Sequence, residues 1–206
     1  LRAVIRREML AIKEKYAVPR RTRLIQGEEE IVVSREDMIV VDDAIVALLE
    51  GGKIRRLPKR NFTAESIASE KPVFIMETQT DRRLRFFTSH GNCLIIGVDE
   101  LPEARLTAKA TNLNSLVQLE KDEEIVACFD EVKDDTLVFF TALGSAKRTE
   151  GKEFDLRTKK TAAIALKDDD RVIAVEKQDE TAGTVIMVSK GGMSIRFATD
   201  TVPVMG

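Results

Sequence analysis

An arginine recurs at a fixed distance from a glycine in this sequence. Arg56, Arg148 and Arg196 each lie four positions after a glycine, namely Gly52, Gly144 and Gly192. A guanidinium is a permanent cation with a fork of N–H donors that suits phosphate oxygens. Arginines at one register of a repeated unit therefore predict an intermittent basic stripe, which could hold a line of nucleic-acid phosphates. The alternative is a set of unrelated surface arginines.

Residues suited to catalysis or metal binding are sparse. The sequence has no glycine-rich phosphate loop followed by Lys and Ser/Thr. His90 is the only histidine, and Cys93 and Cys128 are the only cysteines and lie far apart. A zinc site needs about four such ligands. We therefore expect two buried thiols in a reducing cytosol, no catalytic centre, no metal and no cofactor in this chain.

The charge balance weighs against nucleic-acid binding by the chain as a whole. The formal net charge is −2, with 33 basic and 35 acidic residues. Eight basic and two acidic residues fall within 1–25, so the remainder is acidic. Any nucleic-acid role must rest on clustered cations, and an acidic surface that docks a basic protein stays open as an alternative.

Acidic runs such as 168–170 are expected to be solvated turns. No signal peptide or membrane span is predicted, which favours a cytoplasmic protein.

The chain divides into a helical start, a basic connector and a β-rich remainder. Apolar residues at Leu1, Val4, Ile5, Met9 and Ile12 follow helical spacing, and a proline at position 19 would end the helix. We predict a helix over 1–18, a basic connector over 19–30 and an all-β domain over 31–206. The first residue is not Met, which predicts a piece of a longer protein.

Four segments of the β-rich part share one plan. Each has an apolar strand, a turn containing glycine and a strand with basic residues, at 45–56, 84–95, 137–148 and 185–196. The glycines stand where a tight hairpin needs a positive φ. A unit of about 40–50 residues is the size of a propeller blade, so about four blades are expected. A second repeat, at 119–127 and 166–174, supports this interpretation. Unrelated hairpins of a sandwich are the alternative.

The alternation of residues in the last predicted strand indicates which of its side chains face the core. Met193, Ile195 and Phe197 alternate with Arg196. Because successive side chains of a strand point to opposite faces, the three apolar residues are expected to face a core.

The basic residues near the four hairpins are the candidate nucleic-acid contacts. The predicted DNA-binding residues are Lys53, Arg55, Arg56, Lys59, Arg60, Arg85, Arg105, Lys109, Lys147, Arg148 and Arg196. Further cations that could join them are Arg82, Arg83, Lys152, Arg157, Lys159 and Lys160. None of them forms a motif that reads bases, so we expect the surface to hold the phosphate backbone and to favour DNA shape or bendability.

Several segments, in order, resemble one family. Residues 14–22, 52–58, 86–91, 100–105, 107–110, 194–197 and 203–206 are similar to the C-terminal part of the A subunits of bacterial type IIA topoisomerases, that is, gyrase and topoisomerase IV. The resemblance implies that the first helix is the end of a coiled coil. It also implies a β-pinwheel, in which neighbouring blades exchange strands, with duplex DNA bent against a basic rim.

The same resemblance implies the work of the parent enzyme. Such enzymes cut one duplex and pass another through it, with ATP and Mg²⁺ used by other domains and by a partner ATPase subunit; the A subunits form a homodimer. Residues 60–70 lack the basic glycine-rich box of gyrases, which favours a topoisomerase IV-like decatenating and relaxing enzyme. Ile95 replaces the basic residue that the family pattern leads one to expect. A gyrase A subunit without its box, a protein-docking propeller and a propeller enzyme are the alternatives.

Overall fold

The described part of the first unit of the chain contains one helix. The computed structural model describes residues 1–18, 22, 38–104, 109–167, 169–178 and 183–206, and the chain divides into the units Leu1–Ser34 and Arg35–Gly206. Helix α1 (Arg2–Tyr16) confirms the predicted helix, and all its residues are exposed. Apart from Thr22, the predicted connector at 19–30 lies outside the described residues. No helix in the described ranges has the length and apolar character needed to cross a membrane.

The second unit is built almost entirely from short strands. Its strands and its helix are, in chain order, β1 (Asp43–Leu49), β2 (Lys53–Pro58), α2 (Ala64–Ala68), β3 (Pro72–Gln79), β4 (Arg83–Thr88), β5 (Asn92–Gly97), β6 (Thr111–Asn112), β7 (Ile125–Phe129), β8 (Thr136–Thr141), β9 (Ala146–Glu150), β10 (Lys160–Ala162), β11 (Val172–Lys177), β12 (Thr184–Val188) and β13 (Ser194–Ala198). The predicted all-β class with an N-terminal helix is confirmed.

The four predicted hairpins are all present. They are β1–β2, β4–β5, β8–β9 and β12–β13, each antiparallel. Their turn glycines have φ values of +68° at Gly52, +78° at Gly91, +87° at Gly144 and +80° at Gly192. A third strand pairs with the first strand of each of the first three hairpins: β3 with β1, β7 with β4 and β11 with β8. These sheets are called blades 1 to 4 in chain order, with β12–β13 as blade 4.

Neighbouring blades exchange chain segments. Strand β6 follows the hairpin of blade 2 but pairs with β2 of blade 1, and β10 follows the hairpin of blade 3 but pairs with β5 of blade 2. Val204, after the hairpin of blade 4, forms a parallel bridge to Arg148 of blade 3. Each of blades 1 to 3 is thus completed by a segment that follows the next hairpin, as in a β-pinwheel.

Among the described residues, two core clusters lie between successive blades, and a third packs blade 1 against Ile67 of helix α2. One cluster joins Val46 and Ile54 of blade 1 to Leu84 and Phe86 of blade 2. Side chains alternate across a strand, so the next residue, Phe87, points to the other face of blade 2. There a second cluster forms with blade 3, where the Phe87 ring centroid lies 5.4 Å from that of Phe139 and 5.1 Å from that of Phe154. Blade 2 is therefore packed on both faces.

The expected core face of the last strand is not buried. Met193 is 76% exposed and Ile195 is 60% exposed, while Phe197 is only partly buried. The prediction for these residues was wrong because no sheet or helix in the described part of the chain covers this face of blade 4, which stays open to solvent.

Both thiols are buried and unbonded, as predicted. Burial raises the pKa of the Cys93 thiol to about 12 and raises that of Cys128 further. These cysteines are core residues of blade 2 rather than reactive groups.

Candidate nucleic-acid interface

The second strands of the hairpins, with the segments exchanged onto them, form one edge of each blade. We call this the exchange edge; it consists of residues 53–58 with 109–112 in blade 1, 92–97 with 157–162 in blade 2, 146–150 with 203–205 in blade 3 and 194–198 in blade 4. Strands β3, β7 and β11 lie on the opposite side of their sheets.

Exposed cations occur on the exchange edge of several blades. Lys53 and Lys109 are exposed in blade 1, Arg157 and Lys159 in blade 2, and Arg196 in blade 4. Lys53 lies opposite Asn112 in the pairing of β2 with β6. The exchanged segments bring to blades 1 and 2 charged residues that are distant in sequence, so local patterns alone could not group them.

Two predicted contact residues are buried. The Arg55 side chain is 4% exposed and forms an ion pair with Glu70 at 3.0 Å. The Arg85 side chain is 5% exposed and donates to the carbonyl oxygens of Phe154 at 3.2 Å and Asp130 at 2.5 Å, and to the Asp155 carboxylate at 3.1 Å. Burial and internal bonding argue against direct contact with a phosphate. We therefore no longer count Arg55 and Arg85 among the candidate DNA contacts.

The arginine register predicted from sequence corresponds to one cross-strand position. In the hairpins this pair reads Val46–Arg56, Val138–Arg148, Ile186–Arg196 and, with the two residue types reversed, Arg85–Ile95. Blade 2 therefore carries its guanidinium on the first strand instead of the second. Pairing Arg85 with Ile95 from the hairpin turn could have revealed this swap in the sequence.

These arginines bind the chain segment that returns from the next blade. Arg56 lies 3.8 Å from the Glu103 carboxylate, and Arg148 donates to the carbonyl oxygen of Thr199 at 3.2 Å. Arg85 reaches Phe154 and Asp155 in the same way. Glu103, Phe154 and Thr199 all lie in or just after the 3₁₀ turn that follows the next hairpin. The described members of the register are thus inter-blade contacts, except Arg196, which is exposed.

The remaining predicted residues have varied surroundings. Lys59 is exposed and bonded to Glu77, whose hydrogen bond and negative charge raise the lysine pKa. Arg60 is exposed. Lys147 is half-buried and donates to the carbonyl oxygen of Ala163 at 3.1 Å, beside β10. Arg105 lies outside the described residues.

Carboxylates accompany many of the cations. Among the described residues of the second unit, ion pairs with an exposed cation are Lys59–Glu77, Lys71–Glu50, Arg82–Glu131, Lys152–Glu150, Lys159–Glu100 and Lys160–Glu120. The near-zero net charge is therefore distributed as local pairs, and the field that a DNA molecule would meet is weaker than the number of cations suggests.

The acidic turns are exposed at Asp122 and Asp169, and each also contributes one carboxylate to the framework. Glu123 is buried, and burial by itself would raise its pKa. Hydrogen bonds from the Asn92 amide, the Glu120 backbone N–H and the Thr88 hydroxyl outweigh burial and lower that pKa. The carboxylate thereby ties the turn before β7 to the hairpin of blade 2.

Asp170 occupies the equivalent position in blade 3. It accepts from the backbone N–H of Leu143 at 3.0 Å and of Arg171 at 2.9 Å. Partial loss of solvent would raise its pKa, but the hydrogen bonds to the carboxylate outweigh that effect and lower the pKa. Asp122 and Asp169, one position before these carboxylates, have φ values of +62° and +65°. The repeated acidic segment is therefore repeated in conformation and in contacts.

One group of possible metal ligands occurs among the described residues. His90, Glu120 and Glu123 place ligand atoms within 4.8 Å of one another. Lys160 already pairs with Glu120 at 3.1 Å, and both Glu123 oxygens accept hydrogen bonds. The Lys160 ammonium group thus supplies positive charge beside these carboxylates. This ion pair and the hydrogen bonds of Glu123 explain why the three side chains lie together.

Together, hairpin blades that exchange strands define the chain as a propeller-like domain of the pinwheel type. A family model described as the DNA gyrase C-terminal domain, beta-propeller, matches residues 86–129, 135–179 and 183–206, just over half of the chain. The chain therefore belongs to the family of C-terminal β-propeller domains found in the A subunits of type IIA topoisomerases.

Individual relatives come from both enzyme types. The A subunit of DNA topoisomerase 4 from Streptococcus pneumoniae is 31% identical over 220 residues, covering 98% of this chain and 26% of that protein. The A subunit of DNA gyrase from Streptococcus pyogenes is 33% identical over 222 residues, with the same coverage of 98% and 26%. The chain thus spans about a quarter of the length of the curated relatives it matches.

Solved structures support the same fold. The C-terminal domain of DNA topoisomerase IV superposes with a TM-score of 0.71 at 25% identity, over 82% of this chain and 55% of that one. The C-terminal domain of Escherichia coli ParC gives 0.69 at 15% identity, over 80% and 68%; at that identity the likeness concerns the fold alone.

Proposed function

We propose that this domain binds duplex DNA along its exchange edge and bends it across successive blades. The observation that carries the proposal is the recurrence of exposed cations on that edge: Lys53 and Lys109 in blade 1, Arg157 and Lys159 in blade 2, and Arg196 in blade 4. A duplex offers a continuous line of phosphates, so one or two contacts per blade suffice to hold it.

Bending is the expected consequence of contacts on successive blades. Smooth bending of a short duplex costs about 1–6 kcal/mol, and charge-assisted contacts from several blades can offset that cost. The candidate residues are long, flexible cations, and they form no arrangement that would read base edges. We therefore propose that the domain recognises the DNA backbone and the deformability of the duplex rather than its sequence.

Within the parent enzyme, the bent duplex would be presented to the ATP-dependent strand-passage machinery, in a bacterial cytoplasm. A topoisomerase IV-like role is favoured by the segment after β2. There residues Lys59–Asn61 form a 3₁₀ turn and α2 follows, with Glu65 and Glu70 nearby, instead of a basic glycine-rich loop. A gyrase A subunit without that loop is the nearest alternative.

The test is the affinity of the domain for a labelled duplex of about 30 base pairs, measured by fluorescence anisotropy over a salt series. We expect binding that falls with salt, with a log–log slope of about −0.9 per phosphate contacted. Replacing three exposed cations, Lys53→Gln, Arg157→Gln and Arg196→Gln, should weaken binding and make the slope shallower by about two to three units.

A matched control removes the same charge elsewhere. Lys71, Lys133 and Lys167 are exposed and lie in the connections before β3, β8 and β11, outside the exchange edge as defined above. Their replacement by Gln should leave the slope nearly unchanged. Equal losses in the two triple variants would show that net charge, and not the exchange edge, governs binding. Energy transfer between dyes at the duplex ends would report the bend.

The many exposed carboxylates favour one other function. With cations such as Arg82 and Lys59 paired to Glu131 and Glu77, the surface could instead dock a basic protein partner. Absence of DNA binding even at low salt would reject the DNA proposal and leave protein docking as the better explanation.

A further inference from the structure

Two lysines on the exchange edge of blade 2 are held by carboxylates of the same blade. The Lys159 Nζ lies 2.7 Å from Glu100 Oε2, and the Lys160 Nζ lies 3.1 Å from Glu120 Oε1. The lysines reach blade 2 from the segment after the hairpin of blade 3, whereas Glu100 and Glu120 belong to the turns after β5 and before β7. Strand exchange therefore creates both ion pairs.

These pairs are positioned to be exchanged for other partners. Lys159 and Glu100 are 66% and 30% exposed, and Lys160 and Glu120 are 39% and 61% exposed. Ion pairs that solvent reaches in this way contribute little to stability, because water and salt screen them. A phosphate oxygen can therefore replace the carboxylate at little cost to the fold. Glu120 also lies 3.4 Å from His90 Nδ1, so its release from Lys160 leaves it a second neighbour.

A carboxylate in this position opposes DNA binding in two ways. It occupies the ammonium group that a phosphate would use, and it repels the phosphate itself at close range. Salt weakens the internal pair as well as the phosphate contact, so the pair also reduces the salt dependence of binding.

We propose that Glu100 and Glu120 are attenuating residues of the DNA interface: each holds a lysine of the exchanged strand until a phosphate displaces it. The inference rests on the proposed function and adds that the affinity for duplex DNA is limited by the protein itself. The number of lysines on the edge sets the highest affinity that the domain can reach, and the two carboxylates keep the actual affinity below that limit. Weak, reversible binding is what an enzyme that must release its DNA segment requires.

The experiment measures duplex affinity for the variants Glu100→Gln and Glu120→Gln over the same salt series. Each should bind about two- to fivefold more tightly than the unaltered domain, and with a steeper salt slope. Glu176→Gln is the matched control, because Glu176 is an exposed carboxylate on β11, at the opposite edge of blade 3. It makes the same change in net charge and should have a much smaller effect.

A second background separates local pairing from net charge. In a domain carrying Lys159→Gln and Lys160→Gln, Glu100→Gln or Glu120→Gln should each improve binding clearly less than it does in the unaltered domain, because only the direct repulsion of the phosphate is then relieved. A gain that is undiminished without the lysines, or that the control matches in the unaltered domain, overturns the inference.

The outcomes also distinguish this inference from the proposed function. If the unaltered domain binds DNA but the glutamate variants bind equally well, only the attenuation is rejected. If no form binds at low salt, the DNA function itself is rejected, and the attenuation with it. Circular dichroism and thermal unfolding of every variant show that the fold is kept.

Discussion

The guanidinium of Arg85 contacts the next blade at the position that Arg56 and Arg148 occupy in theirs, although it comes from the opposite strand of the hairpin. Its role is decided by burial. A cation with so little exposure, whose N–H groups donate to four acceptors within the protein, stabilises the junction of blades 2 and 3 and is poorly placed to reach a phosphate.

Arg85→Met should therefore reduce the free energy of unfolding strongly. The change leaves the Asp130 and Phe154 carbonyl oxygens and the Asp155 carboxylate without their donor, at a cost of about 2–4 kcal/mol. Urea unfolding measures this loss. Arg196→Met, the same change at an exposed residue, should alter stability by less than about 0.5 kcal/mol.

DNA binding should be affected more by Arg196→Met than by Arg85→Met, the reverse of their effects on stability. The folded Arg85→Met domain is expected to keep the salt slope of the unaltered domain, whereas Arg196→Met should make it shallower. A large loss of slope in Arg85→Met with unchanged stability would mean that Arg85 reaches the DNA.

Glu123 makes the stability of the domain depend on acidity. Its pKa in the folded state is lowered, so its contribution to stability is present above the usual glutamate pKa of about 4.3 and is lost as pH falls through the lowered folded value. Glu123→Gln should destabilise the domain by about 1–3 kcal/mol at neutral pH, because one amide group cannot serve all the donors that face the carboxylate.

The difference between the two forms should shrink as the solution is acidified. Urea midpoints measured from pH 7 downward test this, with Glu124→Gln as the control at an exposed neighbour. A gap that stays constant with pH would show that Glu123 does not carry the linkage.

At the scale of the elements, the hairpin turns differ in what surrounds them. A Cβ at Gly91 would lie 2.6 Å from the carbonyl oxygen of Ile164, just after β10, whereas a Cβ at Gly144 would meet nothing within 4 Å. Both residues have a positive φ. The turn of blade 2 is thus pressed against the exchanged segment, and the turn of blade 3 is open.

Gly144→Ala should cost about 1–2 kcal/mol, since only the backbone conformation is unfavourable. Gly91→Ala should cost about 1–3 kcal/mol more, because the exchanged segment must also move. Thermal or urea unfolding of the two variants measures the difference. Equal losses would mean that the segment at Ile164 yields without cost.

Much of this element level could be predicted from the sequence. The hairpins and their glycines follow from local rules, since a positive φ at a tight turn and an apolar strand need no distant partner. Strand exchange came only from the family resemblance, because strands of two or three residues such as β6 and β10 carry almost no periodic signal.

The candidate site was less predictable for a related reason. The position of Arg56, Arg148 and Arg196 in the repeat was readable from the sequence. The partial burial of Arg56 and Arg148, however, depends on a segment that follows the next hairpin. The same distance hid the pairing of Lys159 and Lys160 with carboxylates of blade 2. Local patterns identify which residues are charged, and the exchanged segments decide which of those charges remain available.

Within the second unit, three kinds of contact join blade 1 to blade 2 and blade 2 to blade 3: an apolar cluster, an exchanged strand and an arginine that bonds the returning segment. Blade 2 takes part in two such junctions, through Phe86 on one face and Phe87 on the other. Junctions of this kind resist hinge motion, so the angle between blades 1, 2 and 3 is a property of the packed core. A DNA molecule held on their exchange edge would be bent to an angle that the protein sets in advance.

Strand exchange also fixes the order in which the domain can mature on a ribosome. The edge of blade 1 stays incomplete until Thr111 and Asn112 have emerged, after the hairpin of blade 2, and the edge of blade 2 waits for Lys160–Ala162, after the hairpin of blade 3. Each nascent blade thus presents an unpaired strand for as long as the following hairpin takes to be made. The rate at which one hairpin is translated therefore limits how soon the blade before it can be completed. Slow translation of blade 3 would delay the completion of blade 2.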